Sequence, residues 1–298
     1  MRHGRDEEKM DQPLVRQPVA SQPVVSQPVV SQPVVSQPVV SQPVASQRVV
    51  SQSVVSQPVV SKPLVSVIIP VKNGERFLAA AIQSVLDQDY ARVELIVVDG
   101  QSDDRTAQIA QSFTQVRYLF QQGDPGVAAA RNLGIAAAQG ELVAFISHDD
   151  LWARNKLSVQ VAQMVEHPEL QYTITRVKFF LEPGCACPPG FRKELVEGDH
   201  VGVMPETLVA RKSLFDQIGG FDPEFVIGDD NDWFVRAQDN QVPATIIPQV
   251  LTYKRVHETN LSFGPTNTEI LSRNMLKIAK GSLDRKRGRS DPGRDREP

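Results

Sequence analysis

From residue 64 onward, two kinds of hydrophobic spacing alternate along the chain. The run LVSVIIPV (64–71) is almost unbroken and β-branched, the composition of a strand buried on both faces. NGERFLAAAIQSVLDQ then places Leu78, Ile82, Val85 and Leu86 on one helical stripe. There follow a strand over 93–99, a helix capped by Asp103 or Asp104, a strand over 116–120, an Ala-rich helix over about 126–138 and a strand over 141–147. After FISHDDLW, a further helix carries Leu157, Val161, Met164 and Val165 on one face and ends before Pro168. Strands alternating with helices predict an α/β fold: parallel βαβ units in an open, mostly parallel twisted sheet with helices on both faces.

Sheets of this kind bind ligands beyond the carboxyl ends of their strands. The residues there are Pro70 to Asn73 after the first strand, Asp99 with GQSDD after the second, and His148, Asp149 and Asp150 after the fourth. Acids past two strands, with glycine-bearing turns at the helix entries, suit a nucleotide together with a hard cation. Ser147 leaves the acid cluster one carboxylate short of Asp-x-Asp-Asp.

Ahead of this pattern, residues 11–65 repeat a pentad of the type SQPVV. Its proline removes a backbone donor every fifth residue, which predicts extended disorder rather than a helix or central strand. The tail DRKRGRSDPGRDREP mixes both charge signs and is expected to be disordered as well. The expected organisation is thus a disordered segment over 1–63, one domain over 64–281 and a charged tail over 282–298. Lys plus Arg number 32 against 35 Asp plus Glu, and the net charge of -3 gives no reason to expect nucleic acid. No apolar stretch has the length of a membrane span, and the first residues lack the apolar core of a secretion signal, so a cytoplasmic protein is the expectation. Cys185 and Cys187 are too few for a structural zinc site and read as reduced loop thiols.

The ordered series VSVIIPVKNGERF, ELIVVDGQSDD, GVAAARNLG and FISHDDLW, followed by ETLVARKSLFDQIGGFDPEFVIGDDNDWFVRA, resembles the family 2 glycosyltransferases of GT-A fold over about 65–265. By that resemblance Pro70, Lys72 and Glu75 line the nucleotide base pocket. Asp99 matches the acid that reads the base edge or ribose, and Arg131 matches a basic residue near the nucleotide. Either residue also has a plain structural alternative, Asp99 as a helix-entry cap and Arg131 as a salt-bridge partner. Asp149 aligns with the metal-ligating acid and Ser147 with the acid that addresses the donor. Asp150 either assists or caps the next helix. In GDDNDW, Asp230 aligns with the catalytic base, Asp229 is its neighbouring alternative and Asp232 a support; Trp233 either stacks on a sugar or belongs to the core. His257 in VHETNLS is a candidate metal or phosphate contact, or a structural histidine.

The implied activity is inverting transfer of a sugar from a nucleotide-diphospho-sugar to a hydroxyl of a glycan or lipid-linked sugar, with Mg2+ or Mn2+ as cofactor, in cell-envelope or exopolysaccharide synthesis. Such a role places the enzyme in the cytoplasm, with peripheral association at the inner face of the membrane left open. The cation is needed because the diphosphate leaving group gains negative charge as the glycosidic bond breaks. Two other classes remain open: a nucleotidyltransferase-like enzyme, which would require a basic glycine-rich phosphate loop after the first strand, and a non-catalytic sugar- or nucleotide-binding protein.

Overall fold

The computed structural model describes residues 62–123, 126–188, 191–260 and 265–290. The expectation for residues 1–61 therefore lies outside the described residues. The elements in chain order are β1 (Val65–Val71), α1 (Leu78–Leu86), β2 (Val93–Asp99), α2 (Thr106–Ser112), β3 (Val116–Phe120), α3 (Val127–Ala137), β4 (Leu142–Phe145), β5 (Leu151–Trp152) and α4 (Lys156–Glu166). There follow β6 (Tyr172–Leu181), β7 (His200–Val201), β8 (Val209–Arg211), α5 (Lys212–Ile218), α6 (Asp229–Asp239), β9 (Ala244–Val256) and α7 (Pro265–Ser290).

All strands join one sheet in the order β3-β2-β1-β4-β8-β6-β9-β5, with β7 paired to β6. The half built from β1 to β4 is parallel, as the βαβ alternation requires. Beyond it, β8 runs antiparallel to both β4 and β6, while β6 and β9 pair in parallel over their whole length. The β6–β9 register slips around Arg176, opposite the stretch that contains Pro248, whose missing N–H cannot continue the ladder.

Each face of the sheet buries its own core. Val65, Val67 and Ile69 of β1 point to the side covered by α1 and α4, where they meet Leu78, Ile82, Leu157 and Val161. Ile68, on the opposite face, packs with Ala128 and Ala130 of α3, Leu214 of α5 and Trp233 of α6. This alternation is the period-two geometry of a strand covered on both sides.

Three local expectations need correction. Leu151 and Trp152 form a short strand antiparallel to β9, so α4 starts only at Lys156 and Asp150 does not cap it. Val165 is exposed rather than part of the α4 stripe, because the buried face closes with Met164. α7 continues past residue 281, the expected domain edge, to Ser290; Asp239 of α6 accepts hydrogen bonds from Ser282 and Arg285 and holds this extension down.

Candidate functional site

The first two strand ends are laced together through backbone donors. The amides of Asn73, Gly74 and Glu75 donate to Ser102 Oγ (2.8 Å), Thr106 Oγ1 (2.8 Å) and Asp104 Oδ2 (2.9 Å). Asp104 also accepts from the Thr106 amide (2.9 Å), but the N-cap position of α2 is Arg105, so neither Asp103 nor Asp104, the expected candidates, is the cap residue. Pro70 is buried in β1 opposite Val98, while Lys72 and Glu75 are exposed, Glu75 pairing with Arg105 at 3.2 Å. Asp99 is buried and accepts from the Ser102 amide (2.9 Å) and from Tyr118 Oη (2.8 Å). Burial and this carboxylate push the Tyr118 hydroxyl up to about 12, so it remains a donor to Asp99.

The fourth strand end meets a different part of the chain. Asp149 Oδ2 lies 3.0 Å from His257 Nε2 and accepts from Asn260 Nδ2 at 3.0 Å. The second ring nitrogen, Nδ1 of His257, faces Thr259 Oγ1 at 3.0 Å, and the ring packs on Phe77 with centroids 4.8 Å apart. Burial alone would raise the Asp149 carboxyl; the His257 hydrogen bond, with His148 and Lys254 nearby, outweighs it and holds the group well below the ordinary carboxylate range. Asp150 is fully buried and accepts from the Arg255 amide (2.9 Å) and Lys254 Nζ (3.0 Å). The adjacent acids thus divide the work: Asp150 anchors β9 beneath the site, and Asp149 faces His257.

Asp149 and His257 are spaced as neighbouring ligands of a divalent cation would be. Two ligands held at about 2.1 Å and at right angles on one ion sit roughly 3 Å apart, and the Asp149–His257 separation is 3.0 Å. To ligate, Nε2 must give up its proton while Nδ1 takes one; Nδ1 accepts from the Thr259 amide (3.3 Å), so that bond would be exchanged for one donated to Thr259 Oγ1. Among the described residues no group of three or more His, Cys, Asp or Glu could hold a metal. Asp149 and His257 could supply at most one edge of a coordination sphere, so a cation there would need its remaining ligands from elsewhere, such as a diphosphate and water.

A third cluster lies at the start of α6. Gly228, in the left-handed region at φ +91°, turns the chain into α6 and sets Asp229 and Asp230 in its first turn. Asp229 is tied at 2.5 Å to Arg131 Nη1, and both are buried. Arg131 therefore sits in the protein interior, with its guanidinium over the Phe221 ring and 3.9 Å from Glu206. Asp230 is half-buried and accepts from Asn231. Burial raises its carboxyl above the ordinary value; Arg131 opposes the rise, and Asp229 and Glu206 reinforce it. Asp232 pairs with Arg236 at 2.7 Å, and Arg236 in turn donates to the carbonyls of Ile218, Gly219 and Gly220, so Asp232 supports the glycine turn in which Gly219 has φ +84°. Trp233 is fully buried and stacked on Phe215, which assigns it to the core.

Several residues of the site went unassigned in the sequence. Lys254 and Arg255, from β9, hold Asp150 and the Asp149 carbonyl, and Glu206 receives the Ser147 hydroxyl at 2.5 Å. Arg76 links the first loop to the His257 loop through Glu258 at 2.8 Å. Only KRVH, with two cations beside the candidate histidine, offered a local hint of these contacts.

An α/β sheet with a parallel half built from β1 to β4 and carboxylates at its strand ends is the GT-A architecture. Among solved structures, a 1-349 fragment of Staphylococcus aureus TarS in complex with UDP-GlcNAc superposes with a TM-score of 0.56 at 22% identity, covering 70% of this chain and 64% of that one. Residues 66–184 match the family described as Glycosyl transferase family 2. Among its relatives, the Escherichia coli UDP-Glc:alpha-D-GlcNAc-diphosphoundecaprenol beta-1,3-glucosyltransferase WfgD is 39% identical over 104 residues, or 34% of this chain and 41% of WfgD. The putative teichuronic acid biosynthesis glycosyltransferase TuaG of Bacillus subtilis is 38% identical over 105 residues, or 34% of this chain and 42% of TuaG. The chain spans less than half the length of these curated relatives. No described helix is long and apolar enough to cross a membrane.

Proposed function

We propose that the protein is an inverting, metal-dependent glycosyltransferase that moves a sugar from a nucleoside-diphosphate sugar to a hydroxyl group, with a glycan or lipid-linked sugar of cell-envelope synthesis as acceptor. The observation that carries this is the meeting of Asp149 and His257 at 3.0 Å within a fold that also sets Asp230 at a helix start on the acceptor side. Asp149 and His257 would hold a divalent cation, which supplies charge neutralisation to the departing diphosphate. Asp99, with the 70–75 loop, would bind the nucleoside. Asp230 would take the proton from the acceptor hydroxyl as that oxygen attacks the anomeric carbon. Its raised carboxyl makes it a better base than an ordinary aspartate, while Asp229 is committed to Arg131.

The nucleotidyltransferase alternative loses support from the first loop. The amides that would cradle phosphates there, those of Asn73, Gly74 and Glu75, are already spent on side chains of the second loop. The direct test is to incubate the protein with UDP-sugars, manganese and a lipid-linked GlcNAc acceptor, and to read the product by mass and its anomeric configuration by NMR. A glycosylated product of inverted configuration is expected. Retained configuration would refute the inverting mechanism, and absence of any transfer across a panel of donors and acceptors would refute the function.

A further inference from the structure

Ser147 occupies the one position of the acid cluster that lacks a carboxylate, yet a carboxylate is present there in space. Glu206 Oε1 lies 2.5 Å from Ser147 Oγ, although 59 residues separate them in sequence. The glutamate is 5% exposed, an uncommon state for this residue type unless it is engaged.

Its placement is fixed from several directions. The Glu206 carbonyl accepts from Trp152 Nε1 (3.0 Å) and Thr252 Oγ1 (3.1 Å), and the next carbonyl, of Thr207, accepts from Gln160 Nε2 (3.0 Å). The same carboxylate oxygen that meets Ser147 lies 3.9 Å from both Lys254 Nζ and Arg131 Nη2. Burial would raise this carboxyl, but Lys254, Arg131 and the Ser147 hydroxyl outweigh it and keep Glu206 ionised.

An ionised carboxylate has no proton to give, so the hydrogen in the Ser147–Glu206 contact belongs to Ser147. A serine hydroxyl otherwise rotates freely between donating and accepting. With its proton committed to Glu206, half-buried Ser147 has only lone pairs left for any further partner. We propose that Glu206 is a positioning residue that locks Ser147 as a pure hydrogen-bond acceptor for a hydroxyl of the nucleotide-sugar donor, so that the pair does the work of a carboxylate. This rests on the glycosyltransferase assignment above and deepens it: the donor group recognised is a ribose or sugar hydroxyl.

The test measures binding of UDP-glucose and UDP-GlcNAc, with manganese, by titration calorimetry on the full chain. Ser147→Ala and Glu206→Leu are each expected to weaken donor binding about tenfold, the scale of one hydrogen bond to a charged partner. The double variant Ser147→Ala/Glu206→Leu should bind no more weakly than either single one, because the two act as a unit. Moving the charge, with Ser147→Asp/Glu206→Ser, should return the donor Kd to within about threefold of the wild type. Ser147→Asp alone should not, because it sets two carboxylates against each other. If Glu206→Leu does not fold, Ser147→Ala and the charge-relocation pair still decide the matter. Additive losses, unchanged binding in Ser147→Ala, or failure of the relocation to recover affinity overturns the proposal. Donor binding by the wild type with any of those results overturns the relay alone; failure of the wild type to bind these two donors or any other across a panel of nucleotide sugars overturns the glycosyltransferase assignment and the relay with it.

Discussion

Asp149 and His257 are 108 residues apart in sequence, and their facing atoms lie 3.0 Å apart at the rim of the sheet. The contact depends on Asn260, which accepts from the His257 amide (2.7 Å) and donates to Asp149. It also depends on Arg76, which pairs with Glu258 in the same loop. The loop is thus tied both to the acid cluster and to the segment after β1.

Removing the Asp149 carboxylate should abolish metal-linked donor binding. Asp149→Asn is expected to lower transfer by more than the roughly 10–100-fold typical of losing a group that only supports a metal ligand. His257→Ala removes the second proposed ligand and should also lose the manganese dependence of donor binding; a loss confined to the smaller range would mean that the histidine only steadies Asp149. Manganese titrations of donor binding in both variants separate the two roles.

Asp229 and Asp230 are adjacent yet should fail differently. Asp230→Asn is expected to reduce kcat by about 10²–10⁴-fold while donor Kd stays close to wild type. Asp229→Asn leaves buried Arg131 without its nearest partner and should destabilise the fold, by about 3–5 kcal/mol for a fully broken buried pair. Thermal melts together with steady-state kinetics distinguish a lost base from a lost support.

The same raised Asp230 carboxyl sets a pH dependence. As a base it must be ionised, so kcat/KM should fall as pH drops through a value above the ordinary 3.8 of an aspartate. Because its folded-state value lies above the unfolded one, ionising it costs stability as pH rises through that window. Asp230→Asn, neutral and similar in shape, is therefore expected to keep or raise Tm near neutral pH while losing the acid limb of the rate profile.

Trp233 stacks on Phe215 at 5.2 Å between centroids and takes no part in the site. Trp233→Ala should cost about 3–5 kcal/mol of stability, read in urea unfolding. Trp233→Phe should leave KM for donor and acceptor within about twofold, whereas a sugar-stacking role would raise it further.

The parallel half of the fold was legible because each of its elements carries a local signature. β1 and β2 are β-branched runs buried on both faces, and α1 shows a clean stripe from Leu78 to Val85. β5 was not legible: Leu151 and Trp152 are two residues long and exist as a strand only because β9, far along the chain, pairs with them. Val165 was misplaced because a stripe marks the centre of a buried face better than its edge. In the candidate site, Asp149, His257 and Asp230 could be singled out by motif as candidates. Glu206, Lys254 and Arg255 could not, since their chemistry comes from contacts made across the sheet and no spacing along the chain encodes it. Arg131 lay between these cases: its charge was visible, while its commitment to Asp229 was not.

The most direct test of the central claim is release of nucleoside diphosphate from a panel of nucleotide sugars, in the presence of acceptor, with and without manganese, for the wild type and Asp149→Asn. The account predicts release from at least one donor that requires both the metal and Asp149. Release that is indifferent to metal and to Asp149, or no release from any donor, would contradict it.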